Sequence, residues 1–244
     1  MDNTCKKAGV VLAAGLGTRL SANQIKPLVP VGHIELLLRN ITHLENIGCR
    51  RAIIVLGWQA ETIKEYVSST YSGAIHLKFV YNPEYHLSNG LSVLCARPFV
   101  EDVYILIMAD HILDKRIMSL VCDHIPPVNG ATLCVDYKLN TIFDIDDATK
   151  VYAEGTLIKA IGKTLTRFNC IDIGVFVGTG GLMDAIDRIC REKGDASLSE
   201  GVQALADVDR MAVLDIGSCF WQDVDTPEML ANAEKLLDRN NKLE

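Results

Sequence analysis

Apolar residues in the first half of the chain fall into short runs separated by amphipathic segments. The runs are rich in Val, Ile and Leu, which is typical of strands buried on both faces of a sheet. They cover Gly9–Ala14, Ala52–Leu56, Leu77–Tyr81 and Val103–Met108. Apolar residues between them recur at three- and four-residue spacing, which predicts helices at Ile34–Ile47, Glu61–Val67, Leu91–Ala96 and Arg116–His124. This alternation predicts a parallel sheet with right-handed crossovers and helices on both faces.

The pattern changes after Ile125-Pro-Pro-Val128. Short strand-like runs then predominate, at Ala131–Tyr137, Lys150–Ala153, Leu157–Ile161 and Ile173–Val177. Glu154-Gly155 predicts a hairpin, because glycine adopts the turn conformation readily. Helices at Leu182–Arg191 and Glu200–Leu205 precede a strand at Met211–Ile216. A last helix begins at Pro227, with Thr226 as its N-cap.

The order of these elements predicts an α/β fold in which a mostly parallel mixed sheet is flanked by helices. We expect one domain, 1–244. Residues 8–128 and 211–240 would form its ligand-binding core, and residues 129–210 a smaller substrate-side lid. Aromatic residues make up only 6% of the chain against 49% hydrophobic residues, so this core is built mainly from aliphatic side chains.

A glycine-containing loop follows the first predicted strand, in Val10-Val-Leu-Ala-Ala-Gly-Leu-Gly-Thr-Arg-Leu20. Glycines let the backbone approach a ligand, successive N–H groups form an anion nest, and the Arg19 guanidinium matches phosphate oxygens. The P-loop consensus is absent, and Leu20 replaces the third glycine of a dinucleotide-binding motif. A tight turn without a ligand is the alternative, although such a turn has no need of a guanidinium.

This loop resembles the signature of the sugar-1-phosphate nucleotidylyltransferase superfamily. The resemblance rests on LAAGLGTRL with Lys26-Pro27, on Met108-Ala-Asp-His111, and on Phe220-Trp-Gln-Asp-Val-Asp-Thr-Pro-Glu228, in the order found in the superfamily. It implies a Rossmann-like nucleotidyltransferase fold. It also implies a magnesium-dependent enzyme that transfers a nucleotidyl group to a phosphorylated acceptor and releases pyrophosphate.

The resemblance further implies which residues form the site. Nucleotide-binding candidates are Leu12, Ala13, Ala14, Gly15, Gly17, Thr18, Arg19, Asn89, Gly90, Ser92 and Asp110. The catalytic candidates are Arg19, Lys26 and Lys163, and the acceptor-binding candidates are Lys163, Asp172, Gly174 and, more weakly, Lys150. Asp110 and Asp225 would hold Mg²⁺, with Asp223 as an alternative to Asp225, because carboxylates suit this ion.

Three further segments resemble the inositol-1-phosphate cytidylyltransferase branch. They are Asp110-His111, Asn89-Gly-Leu-Ser92, and Asp147-Ala-Thr-Lys-Val151 continuing into Ile161-Gly-Lys-Thr-Leu165 and Asp172-Ile-Gly-Val-Phe176. They imply that CTP and inositol 1-phosphate give CDP-inositol and pyrophosphate. Phosphocholine cytidylyltransferases and other sugar-phosphate nucleotidylyltransferases remain alternatives. Ile25 stands where many relatives have proline, and Asp172 stands where hexose-type enzymes have asparagine.

Each candidate also has a purely structural interpretation. Asp110 and Asp225 could cap a turn or a helix, Lys163 could be a solvated lysine, and Asn89 could belong to an Asn-Gly turn. His111 is expected to be a polar strand-end residue, because an ionised phosphate needs no general base. A non-catalytic regulatory module is disfavoured, since both acidic positions are present. A nicotinamide-dependent oxidoreductase would require Glu35 at a strand end, but it lies in a helix-like stretch.

Charge and cysteine content constrain partners and location. The net charge of −7 and the lack of a basic stripe argue against nucleic acid as a partner. The eight cysteines form no CxxC pair and are expected to be free thiols in a reducing compartment. MDNTCKKAG does not resemble a signal peptide, and the apolar runs are too short to span a membrane. We expect a cytoplasmic chain that is not membrane-inserted. By resemblance, it could be fused or coupled to a membrane CDP-alcohol phosphotransferase at the inner face of the membrane.

Overall fold

The computed structural model describes residues 5–17, 19–20 and 24–241, with side chains described as far as residue 239. The strands within these ranges are β1 Ala8–Ala13, β2 Pro30–Val31, β3 Ile34–Glu35, β4 Arg51–Leu56, β5 His76–Tyr81, β6 Val103–Met108, β7 His111–Leu113, β8 Ala131–Asp136, β9 Lys150–Glu154, β10 Leu157–Gly162, β11 Cys170–Thr179, β12 Met211–Asp215 and β13 Trp221–Asp223. The helices are α1 Leu36–Asn46, α2 Ala60–Thr70, α3 Gly90–Ala96, α4 Lys115–Asp123, α5 Gly180–Lys193, α6 Leu198–Ala206 and α7 Pro227–Asn241.

Nine strands form one mixed sheet in the order β5-β4-β1-β6-β11-β8-β12-β10-β9. The first four of these are parallel to one another, as the alternation of strand and helix predicted. The sheet changes direction at β11, which is antiparallel to both of its neighbours, β6 and β8. β12 then pairs in parallel with β8. The predicted mostly parallel mixed sheet is confirmed, and its reversal lies beside the central strand β6.

Two apolar layers cover the faces of this sheet. Successive residues of β1 alternate between them: Val10 and Leu12 belong to one buried cluster, Val11 and Ala13 to the other. Residues of α3, α5 and α6 join the first cluster, and residues of α1, α2 and α4 join the second. Because both faces are covered, the aliphatic runs of the sequence are buried strands. Polar residues of a binding site must therefore lie at the edges of the sheet.

The predicted elements are present with shifted ends, and the structure adds the short strands β2, β3, β7 and β13. The first predicted helix begins at Leu36, because Ile34–Glu35 instead pairs with Pro30–Val31 as a small hairpin. Gly32 and His33 between these strands both have positive φ, 58° and 69°, as a tight two-residue hairpin turn requires.

Residues 129–210 contribute strands to the central sheet as well as to its far end. β11 lies next to β6 in the sheet and β8 lies next to β11, whereas β9 and β10 form the predicted hairpin around Gly155, whose φ is 59°. Cys170 and Ile171 also pair with β9, so this end of the sheet curls back on itself. The role of the segment as a lid stays a prediction. No helix in the described part of the chain is long and apolar enough to cross a membrane.

Candidate active site

The glycine loop lies at the carboxyl end of β1, next to the carboxyl end of β6. Gly17 has a φ of 59°, and a Cβ there would lie 2.6 Å from Cβ of Lys26, so the close approach of loop and lysine requires glycine. A cavity of about 190 Å³ opens here. Its lining consists of Leu12, Ala13, Gly15, Gly17, Arg19, Lys26, Pro27, Ala109, Asp110 and Asp225. Most of the predicted nucleotide loop therefore faces one cavity. Ala14 is buried with its carbonyl bonded to Trp58 N–H, and Thr18 lies outside the described residues.

Lys26 is the centre of the charge network in this cavity. Its side chain is 7% exposed, and Nζ donates to Asp110 Oδ2 at 2.5 Å and to Asp225 Oδ1. Burial alone would lower the pKa of Lys26, but the two carboxylates outweigh it and raise the pKa above its ordinary value. Burial would likewise raise the pKa of Asp110, yet Lys26 and His111 hold it well below its usual range. Lys26 and Asp110 are therefore both charged at neutral pH. Lys26 reaches this cavity although Ile25 replaces the proline of many relatives.

A short two-stranded ladder brings the two distant aspartates together. β7 follows Asp110 directly and pairs antiparallel with β13, which ends two residues before Asp225. The Val224 N–H also donates to the Asp110 carbonyl at 3.0 Å. Three carbonyls around this turn, of Met108, Ala109 and His111, accept from Nδ2 of Asn40 at 3.1–3.4 Å. Sequence patterns did not identify Asn40, because its partners lie about 70 residues away.

His111 and Trp221 form the wall beside Asp110. Their rings are stacked, with centroids 5.9 Å apart, and His111 Nδ1 lies 2.7 Å from Asp110 Oδ1. Burial would lower the pKa of His111, but Asp110 and Asp223 raise it above its ordinary value. The Trp221 indole N–H donates to Asp136 Oδ2 at 2.9 Å, so the tryptophan is packed and hydrogen-bonded in place. His111 thus orients Asp110.

A second, larger cavity of about 640 Å³ lies on the other side of these aspartates. The predicted acceptor residues Lys163, Asp172 and Gly174 line it, together with Asn89. Burial raises the pKa of Asp172 to about 6, and its carboxyl group accepts a hydrogen bond from the Gly174 N–H at 2.7 Å. The remaining lining includes carboxyl groups and aromatic rings, among them Asp136, Asp144, Asp223, Phe143, Phe220 and Trp221.

Arg19, Asp110 and Asp225 line both cavities. Arg19 donates through one nitrogen to Asp225 Oδ2 at 2.5 Å and through the other to Asp147 Oδ2 at 2.7 Å. The other oxygen of Asp147 accepts from Lys163 Nζ at 2.8 Å. The three predicted catalytic residues thus belong to one network of acids and bases across the boundary between the cavities.

Three predicted site residues lie outside this arrangement. Ser92 is buried and its hydroxyl accepts from Asn82 Nδ2 at 2.9 Å; Gly90 packs so closely that a Cβ would lie 2.3 Å from the Ala196 carbonyl. Neither lines either of the two cavities described above, so their role in nucleotide binding stays a prediction. Lys150 is also buried. Its ammonium donates to the carbonyls of three residues, Asp146, Ala148 and Lys163, so these contacts hold it in the scaffold. Its role at the acceptor stays a prediction.

The donor set fits magnesium. Within the described ranges no group of three or more His, Cys, Asp or Glu side chains is arranged to hold a metal. Asp110 and Asp225 nevertheless converge on a single ammonium, so both carboxylates can face one cation. Mg²⁺ is commonly bound by one or two carboxylates, with phosphate oxygens and water completing its shell.

The chain belongs to the family of MobA-like NTP transferase domains, whose family model matches residues 9–144. Fold and site thus define a nucleotidyltransferase domain, as the three motifs predicted. Similar curated proteins include the bifunctional IPC transferase and DIPP synthases of Archaeoglobus fulgidus and Thermococcus kodakarensis. Both are 32% identical to this chain, over 93% and 94% of it and over 43% and 50% of their own lengths. The chain therefore spans about half the length of these relatives.

A solved structure shares the fold. The inositol-1-phosphate CTP transferase from T. maritima superposes with a TM-score of 0.80 at 22% identity, covering 95% of this chain and 97% of the other. This likeness confirms the α/β nucleotidyltransferase fold.

Proposed function

We propose that this chain is a CTP:inositol-1-phosphate cytidylyltransferase, which forms CDP-inositol and pyrophosphate. One observation carries the proposal: Arg19, Asp110 and Asp225 line both the cavity at the glycine loop and the larger polar cavity. A reaction that joins a nucleotide to a second substrate requires such a boundary. The names of the similar proteins, IPC transferase and inositol-1-phosphate CTP transferase, support CTP and inositol 1-phosphate as the two substrates.

CTP would bind with its phosphates at the glycine loop. Backbone N–H groups of such a loop form a nest for anions, and Lys26 and Arg19 are placed to offset the charge of the pyrophosphate. Asp110 and Asp225 would hold Mg²⁺. When bound, the ion neutralises phosphate charge and stabilises the transition state as a Lewis acid.

The acceptor phosphate would attack the α-phosphorus in line, forming a new P–O bond as the bond to the pyrophosphate oxygen breaks. The second pKa of a phosphomonoester is near ~6, so the attacking oxygen is already ionised at neutral pH. No general base is needed, which agrees with the position of His111 beside Asp110. Positioning and charge stabilisation are then the protein's contribution.

Polar side chains that line the larger cavity would bind the hydroxyl groups of the acceptor. Asp136 and Asp172 line this cavity and offer oxygens to hydroxyl donors. Phosphocholine is the second candidate acceptor, because Phe143, Phe220 and Trp221 line the same cavity and aromatic faces attract quaternary ammonium groups. A sugar 1-phosphate is the third.

Pyrophosphate release with Mg²⁺ tests these alternatives. CTP, UTP, dTTP and GTP are each combined with inositol 1-phosphate, phosphocholine and glucose 1-phosphate. We expect turnover with CTP and inositol 1-phosphate. Release with another pair would keep the reaction class and discard the substrates, and binding of CTP without release from any pair would favour a regulatory module.

A matched pair of variants tests the metal-binding role. Asp110→Asn is expected to lower kcat/KM at least ~100-fold, the loss typical of a key charge in the transition state. Asp102→Asn makes the same change at an exposed position near the start of β6 and is expected to leave the rate unchanged. Equal rates for the two variants would exclude Asp110 from the reaction.

The location and the partner of the chain also belong to the proposal. We infer a cytoplasmic domain whose product passes to a membrane CDP-alcohol phosphotransferase, either fused to it or coupled with it. The names of the longer relatives, which join an IPC transferase to a DIPP synthase, support this coupling. Cell fractionation of the native protein, probed with an antibody to this chain, tests where it resides.

A further inference from the structure

The Asp147 carboxylate forms ion pairs with two of the cationic side chains that the proposed reaction uses, Arg19 and Lys163. Oδ2 accepts from Arg19 at 2.7 Å and Oδ1 from Lys163 at 2.8 Å. One carboxylate thus lies between two positive groups, with one oxygen on each, as two oxygens of a phosphate group would. Sequence patterns named Arg19 and Lys163 as phosphate-binding candidates but gave Asp147 no role.

The two cations are held by other contacts as well. Arg19 keeps its hydrogen bond to Asp225 at 2.5 Å. The backbone of Lys163 is fixed by the buried ammonium of Lys150, which donates to its carbonyl at 2.9 Å. Asp147 is therefore not needed to keep Arg19 and Lys163 near the two cavities.

The loop that carries Asp147 is anchored without its side chain. Lys150 also donates to the carbonyls of Asp146 and Ala148, at 3.0 and 3.4 Å, on either side of Asp147. The Ala148 N–H donates to the Asp144 carbonyl at 3.1 Å. The Asp147 carboxylate can therefore leave its cations by rotation of its side chain while the backbone of the loop stays in place.

The ion pairs of Asp147 are weak enough to be exchanged. Its side chain is 33% exposed, and those of Arg19 and Lys163 are each 54% exposed. Exposed pairs of this kind contribute little, because water and salt screen them. A phosphate monoester or pyrophosphate carries more charge than a carboxylate and offers more acceptor oxygens.

We propose that Asp147 is an internal stand-in for substrate phosphate, which occupies Arg19 and Lys163 until a bound phosphate group displaces it. The proposal deepens the function proposed above and rests on it. Asp147 then competes with the phosphate groups of the substrates and sets how tightly they bind. It also keeps two exposed cations paired when the cavities hold no substrate.

Binding of inorganic pyrophosphate tests this competition without any turnover. Calorimetric titrations at low salt compare the wild type with Asp147→Asn, which keeps the size of the side chain and removes its charge. We expect the variant to bind pyrophosphate about three- to tenfold more tightly, as expected for losing two weak competing pairs. Unchanged or weaker binding would overturn the proposal and make Asp147 a permanent support of the two cations.

Asp146→Asn is the matched control. Asp146 is exposed in the same loop, and its backbone carbonyl accepts from Lys150, so the variant changes the net charge equally without touching Arg19 or Lys163. We expect its affinity for pyrophosphate to equal that of the wild type. Equal tightening in both variants would overturn the proposal, because it would reduce the effect to general electrostatics.

Two further experiments test whether charge is the cause: a second substitution at Asp147, and Asp147→Asn in a protein that also carries Lys163→Met. Asp147→Ser gives the same tightening if charge is the cause, and far-UV circular dichroism checks that both variants fold. In a Lys163→Met background the effect of Asp147→Asn is expected to shrink, since one of the two cations is gone; an undiminished effect would contradict the proposal. Failure of CTP and inositol 1-phosphate as substrates would leave these pyrophosphate titrations interpretable, so the two proposals fail separately.

Discussion

At the scale of single residues, the site is organised by buried charges that neutralise one another. Lys26 is nearly inaccessible to water and lies between Asp110 and Asp225, while Arg19 contacts Asp225 from the exposed side. Removing one partner of a buried pair costs more than the pair contributes, because the other charge stays buried without compensation. We therefore expect single substitutions in this network to affect stability as well as the proposed catalysis.

Lys26→Met is the most direct test of this charge balance. Without the ammonium, Asp110 and Asp225 repel each other, and we expect a loss of about 3–5 kcal/mol in the free energy of unfolding. Added Mg²⁺ should restore part of this loss, because the ion can replace the missing charge between the carboxylates. Chemical denaturation with and without Mg²⁺ measures both effects. Lys159→Met, at an exposed lysine paired with Asp209, is the control and should change stability by less than ~1 kcal/mol.

Asp172→Asn tests the cost of burying a carboxyl group in the larger cavity. The pKa of Asp172 is about 6 in the folded protein against an ordinary value of 3.8, so the folded state binds the proton more tightly. Between about pH 4 and pH 6 the unfolded state loses the proton first, and stability falls as pH rises through this window. We expect the variant to be more stable than the wild type by about 1–3 kcal/mol at pH 7 and equally stable at pH 4. Denaturation curves of both proteins at both pH values measure this difference in stability. A difference that does not depend on pH would contradict the raised pKa of Asp172.

At the scale of elements, the ladder of β7 and β13 joins two motifs that are more than 100 residues apart in sequence. Strand β7 begins at His111, so the position of Asp110 depends on this pairing. Asn40 of α1 fixes the same turn from the other side, through hydrogen bonds to three carbonyls. One helix side chain and one short ladder thus hold the acidic pair.

Asn40→Leu tests this role of the helix. The substitution removes the Asn40 donor from three carbonyls, of which that of Ala109 is buried. This should cost about 1–3 kcal/mol of stability and lower kcat more than it raises KM, since the turn carries Asp110. Thr42→Val, which removes a hydrogen bond within the same helix, is the control. Steady-state kinetics with both substrates measure the changes in kcat and in KM separately. Equal effects of the two variants would mean that Asn40 supports the helix in general.

The sequence predicted most elements and both acidic motifs because these depend on local patterns. Strand runs, the turn at Gly155 and the N-cap at Thr226, whose hydroxyl accepts from Met229 N–H at 3.2 Å, are all readable within a few residues. The contacts of Asn40 and Asp147 were not readable, because they join distant parts of the chain. The backbone contacts of Lys150 were not readable for the same reason: a sequence resemblance does not reveal whether an ammonium meets backbone carbonyls.

At the scale of the whole molecule, one sheet passes through both the predicted core and the predicted lid. β8 and β11 belong to the segment 129–210, yet they lie between β6 and β12 in the sheet. Main-chain hydrogen bonds therefore connect the two portions, and neither has a separate set of central strands. A shared sheet favours cooperative unfolding.

We expect the sheet to unfold in a single transition. Hydrogen exchange measured across a denaturant series should show peptides of β8 and β11 losing protection at the same concentration as peptides of β1 and β4. Far-UV circular dichroism over the same series should have the same midpoint. Loss of protection in β8 and β11 at a clearly lower concentration would mean that residues 129–210 form an independent unit. Local opening of the edge hairpin β9–β10 alone would not change this conclusion.

In the proposed reaction, the reversed direction of β11 separates nucleotide binding from acceptor binding along the chain. Asp110 follows the end of a parallel strand, whereas Asp172 and Gly174 lie in the first half of β11, which enters the sheet from the opposite side. The backbone that precedes β11, including the hairpin β9–β10, contributes no residue to β1, β6 or the glycine loop. The fold is thus modular in an evolutionary sense. A family built on it can exchange one partner of the reaction and conserve the chemistry performed on the other.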